Sequence, residues 1–242
     1  MYKTAGDAAT FMEGLKPLVA ATAVPQIVVC APYTALHTVI EAARGSNIDV
    51  GAQDLFWLKE GAYTGEVSGP MLAAAGCRWV IVGHSERRQY FGETDETVFK
   101  KTGAALEAGL HPIVCVGERL EDREAGHTET VLAGQFAGGL AQLNAEQFAR
   151  IVIAYEPVWA IGTGKTATPG MAAAAHSFLR GQVAAHFGNQ AAEDCRILYG
   201  GSVNAGNSVA LMEEEELDGA LVGGASLDPT SFAAIVKSAY PT

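Results

Sequence analysis

Short apolar runs alternate with amphipathic stretches along 242 residues. This predicts an α/β protein wound from repeated βα units, either a closed (β/α)₈ barrel or an open doubly wound sheet. Three observations carry the prediction. The apolar runs are continuous, as strands buried on both faces of a parallel sheet require. Segments of helical period come between them. No linker, low-complexity tract or break in composition interrupts the alternation, so residues 1–242 read as a single domain.

The first element is a helix over residues 5–22, with Phe11, Leu15, Leu18 and Val19 on one stripe. Strands are expected at Ile27–Ala31, Asp49–Gln53, Trp79–Gly83, Pro112–Val116, Ile151–Tyr155, Arg196–Tyr199 and Gly219–Val222. Thr94 caps a helix carrying Val98 and Leu106, and residues 168–187, 205–214 and 228–239 are also helical. Asp228-Pro229 supplies a cap and a first-turn proline. The Gly-Gly pair at Gly223 and Gly224 follows the last strand, as in many phosphate-binding barrels. The reading yields seven strands but eight helical segments, and the chain opens on a helix. If the fold is a barrel, the expectation is that its first strand is missing from this sequence.

Composition narrows the function. A net charge of -11 argues against nucleic acid and anionic membranes as partners, although a locally positive site can still hold a small anion. Cys30, Cys77, Cys115 and Cys195 are far apart with no CxxC pair, which suits reduced, mostly buried thiols of a cytosolic protein. No segment reads as a signal peptide and no apolar run is long enough to span a bilayer, so neither export nor a membrane span is expected. The acidic run Glu213 to Glu216 reads as a solvated helix end.

The chemistry concentrates at strand ends. Ile151–Tyr155 runs straight into Glu156, then into a stiff Pro157-Val158-Trp159 and a small tip, Gly162-Thr163-Gly164. A carboxylate at the end of a buried strand suits a general base, and the segment behind it suits a lid that excludes water. Its bland alternative is a structural carboxylate paired with Arg or Lys. His84 follows Trp79–Gly83 and precedes Ser85-Glu86-Arg87-Arg88, which puts it at a helix N-terminus. Backbone N–H groups there disfavour an imidazolium, so a neutral ring able to donate to a carbonyl oxygen is expected. Three glycine turns (162–164, 199–203 and 223–224) fall on the same side of the sheet and form candidate anion nests. Gly164-Lys165-Thr166 imitates the end of a P-loop, but Trp159 stands where that motif needs glycine. No metal-ligand spacing, GxGxxG after the first strand or Gly-x-Ser-x-Gly elbow occurs. His111, His127, His176 and His186 read as surface or packing residues.

These segments resemble the triosephosphate isomerase family. The likeness runs through Gly51-Ala52-Gln53-Asp54, Glu60–Glu66, Val82–Arg88, Ala154–Gly164, Tyr199–Val203 and Leu221–Leu227, in family order and over nearly the whole chain. The resemblance implies a (β/α)₈ TIM barrel that interconverts glyceraldehyde 3-phosphate and dihydroxyacetone phosphate through an enediolate, in glycolysis and gluconeogenesis, without cofactor or metal. It implies Glu156 as the base and His84 as the neutral electrophile, a pairing well known for this family and not deduced from spacing. Gly162, Ser202, Gly223 and Gly224 become the phosphate binders. Residues 157–167 become the closing loop, with Lys165-Thr166-Ala167 as its second hinge. Residues 54–68, with Thr64 near the tip, become the loop through which a homodimer forms.

One departure stands out. The family's opening strand ends Gly-Asn-Trp-Lys, and no such segment is present; Lys3 falls three positions too late. The resemblance also counts Glu86 as catalytic; in the family it pairs with that lysine, so here it is expected to lack its partner. Losing one such electrostatic donor typically costs on the order of 10²–10³ in rate. Three explanations fit: a misassigned start, a truncation, or an open barrel that no longer catalyses. The last supplies the alternative reading, a non-catalytic phosphate-binding dimeric scaffold.

Overall fold

Six parallel strands make one sheet in unbroken chain order. They are β1 (Ile27–Ala31), β2 (Ile48–Ala52), β3 (Trp79–Val82), β4 (His111–Val116), β5 (Val152–Tyr155) and β6 (Ile197–Tyr199). This is a computed structural model, and it describes residues 1–161 and 166–239. A doubly wound sheet reverses its strand order at a switch point. No reversal occurs among the described residues, so each crossover advances the same way around the sheet, as a barrel requires.

The helices are α1 (Ala5–Val19), α2 (Tyr33–Ala43), α3 (Gly69–Ala75), α4 (Ser85–Phe91), α5 (Asp95–Glu107), α6 (Leu120–Glu124), α7 (Thr128–Gly139), α8 (Ala145–Phe148), α9 (Pro169–Phe187), α10 (Asn189–Asp194), α11 (Ser208–Met212) and α12 (Pro229–Ser238). Several crossovers therefore carry two or three short helices where the sequence suggested one. The segment 205–214 shrinks to α11, while Thr168 and Asp228 cap α9 and α12 as expected.

The strand residues alternate between two cores, the period of two inherent in a pleated strand. Val80, Val82, Val114, Val116, Ile153 and Tyr155 face the helices. Trp79, Ile81, Ile113, Cys115, Val152 and Ala154 form a second cluster on the opposite face. Val28 and Cys30 from one edge of the sheet and Leu198 and Leu221 from the other both pack on this second cluster. A flat sheet cannot bring its edges to one cluster; this sheet curls. At the N-terminal strand ends Arg196 donates to Gln26 at 2.8 Å, again joining first and last strands. The helices repeat the pattern, since α1 packs on both α2 and α12.

Three expectations need correcting. The seventh strand, Gly219–Val222, is reduced to a single bridge between Tyr199 and Ala220. In α1 the buried stripe is Ala8, Phe11, Met12, Leu15 and Val19, while Leu18 points outward. The acidic run is only partly solvated, because Glu216 and Asp218 pair with Arg180 at 3.1 and 2.8 Å.

Candidate active site

Parallel strands in sequence order bring the C-terminal ends of β3, β4, β5 and β6 to one rim. Gly83, the residue after β3, has φ 72, and a side chain there would meet Val98 at 2.7 Å, so glycine is what allows the sharp turn into α4. His84 is the N-cap of α4, and its Nδ1 accepts from the Glu86 N–H at 3.3 Å. Because Nδ1 accepts, this network assigns the proton of the neutral ring to Nε2.

Glu156 sits one residue beyond β5 and is 1% exposed. Its Oε1 lies 3.0 Å from His84 Nε2. Ser85 clasps both carboxylate oxygens: its N–H donates to Oε2 at 2.9 Å and its hydroxyl to Oε1 at 3.0 Å. A buried carboxylate needs such donors to keep its charge. Backbone presses in from both neighbouring strands. A Cβ on Gly117 would fall 1.7 Å from the Glu156 carbonyl oxygen, and one on Gly200 would fall 2.9 Å from Glu156 Cγ. A polar cavity of about 300 Å³ opens beside the carboxylate, walled by Ser85, Arg88, Gly117, Gln135 and Val158. A larger cavity of about 410 Å³, between Trp57 and Glu107, contains none of the candidate residues.

The electrostatics of His84 differ from the expectation. Burial is the largest single influence and disfavours the charged ring, but the hydrogen bond to Glu156 and the charges of Glu156 and Glu86 outweigh it. The pKa is raised above the ordinary 6.5 in this arrangement. The Glu86 carboxylate acts on the ring through its charge and not through a hydrogen bond: it is 3.9 Å from Nδ1 and its side chain is 66% exposed. Among the described residues no Lys or Arg forms a salt bridge with it.

Ser202 is half-buried two residues beyond Gly200, and its carbonyl accepts from Asn207 at 2.9 Å. Gly223 and Gly224 are exposed at the start of a 3₁₀ turn (Gly224–Leu227), with nothing within 4 Å of where a Cβ would sit. Gly162, with the rest of Gly162–Lys165, lies outside the described residues. Among the described residues no three metal-ligating side chains converge.

Sequence reasoning missed a second buried carboxylate. Glu118, 0% exposed, lies just past β4, and its Oε1 accepts from Trp159 Nε1 at 2.8 Å, Tyr155 OH at 3.1 Å and Arg123 at 3.2 Å. Arg123 also lies over the Trp159 ring, 4.9 Å from its centroid. This cluster fixes the 3₁₀ turn Val158–Ala160 immediately after Glu156. The signal was available, since Glu118 is an acid at a strand end by the same logic that singled out Glu156. Ser85, within Val82–Arg88, carries no sequence signal for its role as donor to Glu156.

Fold and rim together define an α/β enzyme of the barrel class whose paired carboxylate and imidazole suit proton transfer. The triosephosphate isomerase family model matches residues 1–239. A triosephosphate isomerase from Solibacter usitatus is 62% identical over 237 residues, 98% of this chain and 95% of the relative. Those of Moorella thermoacetica and Clostridium botulinum are 57% and 53% identical, again over 98% of this chain and 94% and 95% of theirs. The chain belongs to the triosephosphate isomerase family. With 98% of the chain aligned, the expectation of a barrel that has lost its first strand gains no support.

Proposed function

We propose that the protein interconverts glyceraldehyde 3-phosphate and dihydroxyacetone phosphate, as the names of its relatives indicate, and that Glu156 and His84 carry the proton transfers. The supporting observation is the 3.0 Å contact between Glu156 Oε1 and His84 Nε2 at a buried strand end. In the reaction, Glu156 takes the proton from the carbon beside the carbonyl. The His84 Nε2–H donates to the carbonyl oxygen, where negative charge develops, and the enediolate is reprotonated at the neighbouring carbon.

The resting geometry states what must change. The carboxylate now holds three donors, from Ser85 N, Ser85 Oγ and His84 Nε2. Substrate takes over the His84 proton and draws Glu156 away from Ser85. Once the carboxylate leaves His84, burial and the Glu86 N–H on Nδ1 both favour the neutral ring. The raised pKa of the resting state thus comes chiefly from the Glu156 contact, with a smaller part from Glu86, and the proposed electrophile is the neutral ring.

By likeness to the family, Ser202, Gly223, Gly224 and Gly162 hold the phosphate, and residues 157–167 close over it. The open space above Gly223 and Gly224 is consistent with a ligand seated there. The homodimer assignment rests on loop 54–68, where Leu58 and Tyr63 are exposed; a monomer by sedimentation would remove it. No helix among the described residues is long and apolar enough to cross a membrane, and the proposed setting is cytoplasmic glycolysis and gluconeogenesis. The relatives' shared activity favours this reading over the non-catalytic scaffold.

The test is turnover of glyceraldehyde 3-phosphate by the full chain and by Glu156→Gln. Removing the base is expected to lower kcat by about 10²–10⁴-fold with substrate binding retained. Unchanged turnover in the variant would refute the assignment.

A further inference from the structure

Helix α4 carries His84 at its N-cap and Ser85 in its first turn, yet it has little apolar anchorage. Its only buried residue is Ser85, and Tyr90 and Phe91 at its far end are exposed. Seven residues are too few to hold a helix by themselves. Something other than apolar packing must set its position.

Four charged side chains do so. Lys101, 3% exposed in the middle of α5, donates to Asp54 Oδ1 at 2.6 Å and also to Glu93. Arg87 of α4 donates through Nε to Glu93 Oε1 at 2.5 Å, and its Nη2 lies 3.0 Å from Asp54 Oδ2. Each cation touches both carboxylates, and each carboxylate touches both cations, so the ring closes with no net charge. It grips α4 at Arg87 and, just past the Gly92 cap, at Glu93. The next residue along, Arg88, adds bonds to the Gly83 carbonyl at 2.9 Å and to Asp95 at 2.6 Å. Burying charge in this way is often no more stabilising than apolar residues of the same volume. Stability is therefore a poor reason for the ring, whereas geometry is a good one: polar pairs have fixed lengths and directions, and apolar contacts do not.

We propose that the Arg87–Asp54–Lys101–Glu93 ring holds α4 in the orientation that aims His84 and Ser85 at Glu156, with Lys101 as a positioning residue that acts on the site only through Asp54 and Glu93, and through them Arg87. The proposal rests on the acid–base reading of Glu156 and His84. Arg87 adds an electrostatic link, because its charge opposes protonation of His84. Asp54 opens the exposed loop 54–68, so the same ring ties that loop to the catalytic helix.

The decisive variant is Lys101→Met/Glu93→Gln in the full chain. It removes one charge of each sign and leaves Arg87 facing Asp54, so the fold is expected to survive. Misplaced catalytic groups cost turnover more than binding; kcat is expected to fall about 10- to 100-fold with KM for glyceraldehyde 3-phosphate within about 3-fold. The His84 ring resonances, followed by NMR against pH, are expected to titrate at a different pH from the parent. Lys101→Arg, which keeps the cation, is expected to recover most of the activity. A folded double variant with kcat within about 2-fold of the parent overturns the proposal. So does a loss that disappears at a temperature where circular dichroism shows the variant fully folded. Glu156→Gln is assayed alongside: if it also keeps full turnover, the acid–base reading is what has failed.

Discussion

His176 offers a quantitative test of how this region is built. It lies fully buried on α9, with its ring 5.8 Å from Tyr155 and 6.5 Å from Tyr199, the last residues of β5 and β6. Its Nδ1 is 3.2 Å from the Glu216 carbonyl and so carries the proton of the neutral ring. Nε2 finds no hydrogen-bond partner among the described residues. Burial, the dominant influence, lowers the pKa from 6.5 to about 4; the Arg180 charge adds to this, and Glu216 and Asp218 oppose it.

The sign follows from linkage. Between pH 6.5 and about 4 the unfolded chain binds a proton at this histidine and the folded chain does not. Stability contributed by the neutral ring is therefore complete above pH 6.5 and is lost as pH falls to about 4. At about 1.4 kcal/mol per unit the loss is about 3 kcal/mol, a sizeable part of a typical total of about 5–15 kcal/mol. The assay is urea denaturation of the parent and of His176→Gln, which keeps an N–H donor, at several pH values from about 7 to about 4. Ordinary carboxylates titrate in both proteins and cancel in the difference. The parent is expected to lose about 3 kcal/mol more than the variant over this range. Parallel pH slopes would refute the reasoning.

Gly117→Ala is expected to be costly twice over, since its new carbon would fall 1.7 Å from the Glu156 carbonyl. Forcing β4 and β5 apart costs about 1–3 kcal/mol of stability in calorimetry, and shifting Glu156 lowers kcat by on the order of 10²-fold. A variant with parental kcat would show that Glu156 tolerates the displacement. Gly224→Val tests the phosphate assignment in the opposite way. Nothing lies within 4 Å of its Cβ position, so the melting temperature is expected to hold while KM for the triose phosphate rises about 10-fold or more. Unchanged KM would move the phosphate elsewhere.

Much of the fold was legible because its signals are local. Continuous apolar runs marked β1 to β6 to within about a residue at most ends, because a strand buried on both faces needs apolar residues at every position. The seventh run looked the same, yet only Ala220 pairs, through one bridge to Tyr199. Apolar sequence marks burial, and ladder pairing is decided by neighbours. Leu18 failed likewise: it is apolar and helical, but α2 and α12 cover the face that Met12 occupies instead.

The sequence by itself determined that His84 and Glu156 stand at strand ends, that Gly223 and Gly224 form a turn after an apolar run, and that the chain belongs with the isomerases. Short spacings carry that information. Only the tertiary structure decided what holds these groups. Ser85 clasps Glu156 from 71 positions away, and Lys101 reaches Asp54 across 47. The lengths of those two chain segments do not reveal which side chains will meet. The curl of the sheet and the packing of α4 and α5 do, because they turn distant positions into contacts of about 3 Å.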